Sequence, residues 1–325
     1  HAALARGDRA SGNQIQAHMH FSGNWGHDHD DMLNFILWAY GEELVSDVGY
    51  QLTYNGFSKA ASGHNLVVVD RSTQGRISRP GELVGWHPCQ DGVQVVEASA
   101  PDVYTQCHTY DRTLFLVPVG DSDHLILDVF EVSGGSTHEW MAQGNCMNDQ
   151  ELEVSIPVEP YAESYADDGK PFTPPAHREW EKQLHAQGLK PGDVDPWYGV
   201  FRDVRRGEIA GPFQAVFRST DRSLPDVRAH VLEPSDGDLY VCTVPTLRKC
   251  WSNALQVEDH SLVESFRMPK MVLRRDGEDL KSRFVVLWEP HRGTEWVGEV
   301  RDLAPESEGL VGIEVRMSDG GTVQM

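Results

Sequence analysis

The residues best suited to chemistry are histidines near the start of the chain. Five of the fifteen histidines lie within the first 29 residues, two of them in the segment Gly26-His27-Asp28-His29-Asp30-Asp31. In an extended segment His27 and His29 project to the same face, because side chains alternate with a period of two. Imidazoles at positions i and i+2 beside a carboxylate are a common way to build a site for Zn²⁺ or another transition metal. Taken alone, the cluster is also consistent with a solvated acidic loop.

Two further polar positions stand at the ends of predicted strands. Asp47 ends one strand at a turn, and His64 opens another within Ser62-Gly63-His64-Asn65. Neighbouring strands can bring such ends together, so these side chains extend the histidine cluster to a candidate set. Spacing alone does not distinguish a metal site from ordinary polar strand ends.

The elements that must position these residues are short and β-like. Apolar stretches of four to eight residues recur, usually separated by Gly, Asp, Ser or Pro, which predicts stacked antiparallel sheets in a β-sandwich or super-sandwich. Strands alternating with helices, which would indicate βαβ units, are absent from the pattern. The predicted strands are Gln16–Phe21, Asn34–Tyr40, Leu66–Val69, Val93–Ala98, Thr113–Val119, His124–Val132, Leu152–Ile156, Phe213–Phe217, Val227–Leu232, Leu239–Val244, Leu262–Met268, Phe284–Trp288, Glu295–Val300 and Val311–Met317.

One proline-rich stretch interrupts the strand pattern. Residues 157–198 contain seven prolines around a polar segment, Ala176–Gly188, which is the one convincing helix in the sequence and is stopped by Gly188. We interpret the stretch as an excursion from the sheets that either lines a groove or forms a solvent-facing connection. The rest of the pattern is continuous, so residues 1–325 are predicted to form one β-sandwich domain.

Composition excludes several classes of function. The chain has 28 Lys+Arg against 50 Asp+Glu, a formal charge of −22, which argues against nucleic-acid binding because a phosphate backbone requires a basic face. No apolar run approaches the roughly 18 residues of a membrane span. The five cysteines are scattered, so no disulfide framework is indicated, and buried free thiols are expected for Cys242 and Cys250. The chain begins at His1 without an initiator methionine or a signal peptide, and we interpret it as part of a longer polypeptide.

The stretch from His27 to Gln74 resembles the C-terminal β domain of the heparinase II/III-like polysaccharide lyases, a group that includes alginate lyases. The resemblance rests on a Gly-His-x-His-x-Asp start, an apolar strand ending in glycine, an Asp-x-Gly, and a Ser-x-His-Asn that leads into an apolar strand. The matching positions are Gly26, His27, His29, Asp31, Leu33, Phe35, Gly41, Asp47, Gly49, Ser62, His64, Asn65, Asp70 and Gln74.

The resemblance implies an architecture of two parts. The family joins an N-terminal (α/α) toroid to stacked antiparallel sheets, with the active site in the cleft between them. The present chain has the sheets and lacks the long amphipathic helices, so the toroid, which contributes an Asn or His and a Tyr to catalysis, is expected to be a missing partner domain. The family also implies a periplasmic or extracellular location.

The same resemblance implies roles for individual residues. His29, Asp47 and His64 match the family's metal ligands, which implies a divalent metal such as Zn²⁺, and His27 matches its active-site histidine. The implied reaction is β-elimination on an acidic, uronate-containing polysaccharide of the glycosaminoglycan or alginate type. A base must remove the proton at C5, a positive group must neutralise the adjacent carboxylate, and an acid must protonate the leaving oxygen at C4.

Other polar residues have weaker assignments. Tyr50 and Tyr54 follow Asp47, the aspartate that matches a metal ligand. A phenol there could contact substrate or simply pack at a sheet edge. Asn65 and Gln74 are interpreted as structural, the first orienting the turn at His64. Two remaining groups are outside the motif: His18 and His20, interpreted as ordinary strand residues, and Arg71, Arg76 and Arg79, the basic side chains expected near the cleft.

Two other functions stay open at this stage. A cupin-like metalloenzyme also begins with His-x-His, but it requires a Glu where this chain has Met32 and Leu33, and it leaves Asp47 without a role. A non-catalytic carbohydrate-binding or structural β domain would use the metal as a staple and the nine tryptophans as stacking platforms.

Overall fold

The computed structural model describes residues 1–8, 10–23, 29–49, 54–75, 80–119, 123–173, 177–188, 197–254, 260–303 and 311–325. Two of the predicted site residues, His27 and Tyr50, lie outside these ranges, as do Arg76 and Arg79.

The described residues form four antiparallel sheets. The four-stranded sheet has the order β1-β2-β3-β4, with strands Ala2–Arg6, Ile15–Met19, Phe35–Ala39 and Glu42–Val45. The six-stranded sheet has the order β12-β13-β16-β17-β10-β5, with strands Glu159–Ser164, Arg202–Ile209, Gly237–Pro245, Arg267–Asp276, Thr137–Gln143 and Val67–Val69.

The eight-stranded sheet has the order β11-β14-β15-β18-β9-β8-β7-β6, with strands Gln150–Val154, Phe213–Ser219, Asp226–Glu233, Lys281–His291, Asp123–Ser133, Thr109–Val119, Gln94–Ser99 and Glu82–His87. A three-stranded sheet, β19-β20-β21, contains Val297–Asp302, Ile313–Met317 and Thr322–Gln324. The prediction of stacked antiparallel sheets is confirmed.

The eight-stranded sheet is the middle layer, because its central strands bury both faces. On β18, Phe284, Val286 and Trp288 enter the main core, whereas Val285 and Leu287 enter a second core under the three-stranded sheet. Burial on both faces explains why this strand reads as an uninterrupted apolar run rather than an alternating one.

Aromatic contacts join three sheets in the main core. The Trp288 ring lies 5.9 Å from Phe35 of the four-stranded sheet and 6.1 Å from Trp140 of the six-stranded sheet, measured between ring centroids. Both tryptophans are wholly buried. These contacts fix the four-stranded and six-stranded sheets relative to each other. The chain segments that join strands of these sheets carry the candidate site.

Helices are few and short. Helix α2, His177–Ala186, confirms the helix predicted within 176–188. Two further helices, α1 at Asn55–Lys59 and α3 at Leu247–Ala254, were not expected. Helix α1 has five residues, too few to show a helical period, and α3 places Leu247 and Cys250 in the core.

Other predictions are resolved by the same description. Residues 159–164 of the proline-rich stretch form β12, so part of that stretch belongs to a sheet. Leu262–Met268, predicted as a strand, is a 3-10 turn over His260–Ser265 followed by the start of β17. All five cysteines are free thiols, with Cys242 and Cys250 buried as expected. Within the described ranges, none of the helices has the length and apolar character needed to cross a membrane.

A buried ion pair spans the centre of the main core. The guanidinium of Arg112 on β8 donates to both carboxylate oxygens of Asp128 on β9, over 2.8 and 2.6 Å, and both residues are wholly buried. The Arg112 guanidinium also lies 5.1 Å from the ring centroids of Phe35 and Phe130. Removing one partner of such a pair leaves the other charge buried in the core without an opposite charge.

We therefore predict that Asp128→Asn lowers the free energy of unfolding by about 3 kcal/mol, measured by urea denaturation. Glu131→Gln on the same strand is the matched control. Burial raises the pKa of Glu131, so neutralising its carboxylate should cost under about 0.5 kcal/mol. Equal losses for the two variants would contradict the assigned role of the ion pair.

Candidate active site and metal centre

The predicted ligands lie on three turns that meet beside the main core. His29 and Asp31 precede β3, Asp47 follows β4, and His64 lies between a 3-10 turn, Ala61–Gly63, and β5. The imidazole centroids of His29 and His64 are 5.2 Å apart. One candidate ligand atom from each of His29, Asp31 and His64 lies within 4.8 Å of the other two. The structure thus brings together both predicted histidine ligands and one carboxylate that the sequence did not assign as a ligand.

Asp47 is held against the buried ring of His64. Its Oδ2 lies 3.0 Å from Nδ1 of His64 and accepts from Asn34 Nδ2 at 2.8 Å, while Oδ1 accepts from the Gly49 amide at 2.7 Å. Gly49 has a φ of 74°, the left-handed conformation that glycine adopts without strain, and this lets its amide meet the carboxylate.

The electrostatics keep the Asp47 carboxylate charged. Burial would raise the pKa of Asp47, but the charge of His64 and the hydrogen bonds from His64 and Gly49 outweigh burial and lower it. Burial would likewise lower the pKa of His64, and the neighbouring Asp47 carboxylate raises it instead. The two groups therefore stabilise each other as an ion pair.

Asp31 is the less stabilised carboxyl group. Burial, the largest influence, raises its pKa to about 7, with Asp47 adding repulsion and His64 opposing both. Its Oδ2 lies 3.6 Å from Nδ1 of His20, and Nε2 of His20 contacts the Ser22 hydroxyl at 2.8 Å. His20, interpreted from the sequence as an ordinary strand residue, is therefore adjacent to the cluster. The repeated His-x-His pattern at 18 and 20 was the signal available for it.

The donor set fits a divalent transition metal. His64 is wholly buried, and its Nε2 finds no hydrogen-bond partner among the described residues. An imidazole whose Nδ1 meets a carboxylate while Nε2 stays unbonded is typical of a metal-binding histidine. Two imidazoles with Asp31 or Asp47 provide the nitrogen and oxygen atoms that Zn²⁺ prefers. Whether Asp47 is itself a ligand stays a prediction.

Buried amides fix the ligand-bearing turns. Asn65 Nδ2 donates to the carbonyls of Phe35 and Ser46, both at 2.9 Å, and its backbone amide donates to Asn34 Oδ1 at 2.9 Å. Asn65 Oδ1 accepts from the Gln143 amide at 2.9 Å. The structural role expected of Asn65 agrees with these bonds, which join the turn at His64 to β3, β4 and β10.

The turn at Asp31 is fixed in a similar way. Gln74 accepts from the amide of Met32 at 2.8 Å and donates to its carbonyl at 3.0 Å. Leu33 has a φ of 64°, a left-handed conformation that costs a non-glycine residue roughly 1 kcal/mol or more. Its amide donates to the His20 carbonyl at 2.7 Å, and its carbonyl accepts from Arg112 at 2.7 Å, so both polar atoms are satisfied.

Two other candidates are enclosed by the fold. Tyr54 is 2% exposed, and its hydroxyl donates to Glu264 at 3.1 Å. Arg71 pairs with the buried carboxylate of Glu139 at 3.0 Å and lies over the rings of Tyr165 and Tyr198. A substrate role for Tyr50 or Tyr54 stays a prediction, and Arg71 is committed to an internal ion pair.

Lys270 was not expected from the sequence. It lies on β17, wholly buried, and donates to the carbonyls of Ser62 and His64 and to Gln143 Oε1. Burial lowers the pKa of this ammonium to about 7. Its partners lie 127 to 208 residues away in the chain, so no local pattern could have found it.

The family model for "Heparinase II/III-like, C-terminal" matches residues 17–187, just over half of the chain. The chain belongs to this family. Comparison with curated proteins gives no match. The resemblance expected from the histidine motif is therefore confirmed.

Solved structures share the fold across nearly the whole chain. The heparinase III BT4657 gene product is 12% identical with a TM-score of 0.58, over 99% of this chain and 40% of that chain. The heparan sulfate lyase HepC from Pedobacter heparinus is 12% identical with a TM-score of 0.57, over 96% of this chain and 39% of that chain. A further heparinase III structure is 11% identical with a TM-score of 0.58. The present chain thus spans about two fifths of the length of these proteins, and at this identity the similarity establishes the fold.

We predict that Asn65→Leu lowers the free energy of unfolding by about 2–4 kcal/mol, because it leaves several buried polar groups without hydrogen-bond partners. Chemical denaturation followed by tryptophan fluorescence measures the loss. The control is Asn148→Ala, which removes one half-buried bond to Glu42 and should cost under about 1 kcal/mol. A loss for Asn65→Leu no larger than the control would show that the network does not hold the turns.

Proposed function

We propose that the protein containing this chain cleaves uronic-acid-containing polysaccharides by β-elimination, with this chain supplying one wall of the cleft. The observation that carries the proposal is the convergence of His29 and His64 with two carboxylates, inside the segment that matches the heparinase family. The structural neighbours include proteins named as heparinase III and as a heparan sulfate lyase. A glycosaminoglycan of the heparan sulfate type is therefore the first substrate class to test, and alginate is the second.

The reaction requires three groups around the C4–C5 bond of the uronate. We assign His27 as the base or as the group that neutralises the carboxylate, since an unperturbed imidazole changes charge near neutral pH. The remaining groups are assigned to the helical domain expected to complete the cleft. That division of labour is consistent with a chain that covers 40% of a heparinase III structure.

We further propose that His29, Asp47 and His64 hold one divalent cation, Zn²⁺ in the first instance. The unbonded Nε2 of His64, its half-buried partner Asp47 and the adjacent His29 ring support this set. When bound, the ion would supply a fixed positive charge beside the substrate carboxylate. The protein residues would orient that charge, because Asp47 is itself fixed by Asn34 and Gly49.

The resemblance to the family also bears on where in the cell the protein acts. We propose that the parent protein is periplasmic or extracellular, where acidic polysaccharides are encountered. Cell fractionation with an antibody against the chain tests this directly, and recovery in the cytoplasmic fraction alone would contradict it.

For the metal, we predict that the protein binds one equivalent of Co²⁺ with a tetrahedral visible spectrum, displaced by Zn²⁺. His64→Ala and Asp47→Ala should each weaken binding more than about 100-fold, since changes to outer partners alone cost 10–100-fold. His87→Ala, an exposed histidine on β6, is the control and should bind normally. If Asp31→Asn abolishes binding while Asp47→Ala does not, Asp31 is the ligand and the assignment of Asp47 is wrong.

For the reaction, we predict that the full-length protein generates the ultraviolet absorbance of a C4–C5 double bond from a uronate polysaccharide. His27→Ala should lower the rate by about 100-fold or more, the typical contribution of a general acid or base. His87→Ala should leave the rate unchanged.

The outcomes separate the proposed functions. An unchanged rate for His27→Ala would remove its assigned role and leave the lyase intact. No absorbance from heparan sulfate, hyaluronan-like glycans or alginate would contradict the lyase itself. Sugar binding without turnover would then favour a carbohydrate-binding β domain. The cupin-like alternative is not favoured by the family match.

A further inference from the structure

Among the described residues, the hydrogen-bond acceptors of the buried Lys270 ammonium are all uncharged oxygens. Its Nζ donates to the Ser62 carbonyl at 2.7 Å, to Gln143 Oε1 at 3.1 Å and to the His64 carbonyl at 3.3 Å. The centroid of the Phe201 ring lies 5.3 Å away. Across the described part of the chain, no carboxylate oxygen comes within ion-pair distance of this Nζ. All three donors of the ammonium are therefore used on neutral acceptors.

Such an arrangement is a poor way to stabilise a fold. Burying a charge without an opposite charge costs several kcal/mol, and replacing buried charges by apolar side chains of similar size is often neutral or stabilising. Lys270 lies on a central strand of the six-stranded sheet, where Met271 and Val272 already pack in the core. A costly group at such a position points to a role other than packing.

The acceptors of Lys270 show what it does. Ser62, Gly63 and His64 are consecutive, and they precede β5 rather than belonging to it. Lys270 accounts for the carbonyls of Ser62 and His64, while the Gly63 carbonyl accepts from Gln143 Nε2 at 2.9 Å. All three carbonyls of the turn are thus held by one ammonium and one amide from neighbouring strands.

Holding these carbonyls determines where the imidazole points. In the described part of the chain His64 lies in no strand, and its amide donates to the Ala61 carbonyl at 3.1 Å, so its direction depends on bonds to the turn. The backbone of Gly63 also packs tightly against Phe57, because a Cβ at Gly63 would lie 2.5 Å from the Phe57 carbonyl oxygen. With the turn fixed in this way, Nδ1 of His64 meets Asp47, and Nε2 has no hydrogen-bond partner among the described residues.

We propose that Lys270, acting with Gln143, is a positioning residue that presents His64 to the metal, an inference that rests on the proposed metal site. A flexible stem and three tetrahedral donors suit Lys for binding carbonyls that face different directions, whereas the planar guanidinium of Arg suits carboxylates. Lys270 itself contributes no ligand. It lowers the cost of ordering the turn when the ion binds.

The test is Co²⁺ titration of Lys270→Met, which keeps the length of the side chain and removes its charge and donors. We expect affinity to fall 10–100-fold, the usual range for an outer partner of a metal ligand, and the visible spectrum at saturation to shift. His138→Gln is the matched control. His138 is also buried in the six-stranded sheet, but it bonds to Ser282 and Gly134, so its loss should lower stability and leave Co²⁺ affinity unchanged.

A measurement on the wild-type protein keeps the proposal testable if Lys270→Met does not fold. The buried ammonium should give a slowly exchanging ¹⁵Nζ signal in the NMR spectrum. We expect this signal to move when Zn²⁺ is added, because a cation bound at His64 changes the electric field at the ammonium that donates to the His64 carbonyl.

Each outcome bears on a different proposal. Wild-type protein that binds no metal would contradict the metal site, and the role of Lys270 would be lost with it. A wild type that binds Co²⁺ while Lys270→Met binds it equally well, with the same spectrum, would overturn the positioning role alone. A Zn²⁺-insensitive ammonium signal would do the same.

Discussion

The guanidinium of Arg112 is the constraint on which the geometry of the candidate site depends. It is held by Asp128, and its Nη1 donates to the carbonyls of Leu33, at 2.7 Å, and Asn65, at 2.6 Å. Leu33 closes the turn that carries Asp31, and Asn65 directly follows His64. One buried cation on the middle sheet therefore ties together two turns that are about 30 residues apart in the chain. Displacing it would move both turns relative to each other, and the candidate ligands with them.

A second buried cation acts on the same region from the opposite sheet. Arg112 reaches the turn at His64 from the eight-stranded sheet, and Lys270 reaches it from the six-stranded sheet. Both donate to backbone carbonyls, which lie at fixed positions once the sheets have packed. The fold thus positions the candidate ligands before an ion binds. Burying two cations costs free energy, which the packing of the large aromatic core offsets. Preorganisation of this kind is expected where ligand geometry must be accurate to a fraction of an ångström.

The sequence predicted the features whose cause is local. Short apolar stretches identified the sheets, and the His-x-His and Ser-x-His-Asn patterns singled out His29 and His64, whose rings lie 5.2 Å apart. The 3-10 turn at His260–Ser265 was mistaken for a strand, because Val263 is buried by tertiary packing that a short apolar run does not specify. Arg112 and Lys270 were missed for a related reason. Their contacts with the site are bonds to backbone carbonyls of distant residues, and any residue type supplies a carbonyl, so no side-chain pattern records these contacts.

Charge is the remaining difficulty for a chain of −22 that is proposed to meet a polyanion. Arg71 does not resolve it, because its guanidinium is paired with Glu139 and enclosed by Tyr165 and Tyr198. Arg76 and Arg79 lie outside the described residues, and the proposed cleft needs positive charge on its wall. A cation at the His29–His64 cluster would meet this need where the chain is otherwise acidic. The burial of Asp31 points the same way, since a carboxyl group whose pKa lies near 7 would gain from an adjacent positive charge. A bound ion would therefore add positive charge at one point of a chain whose formal charge is −22.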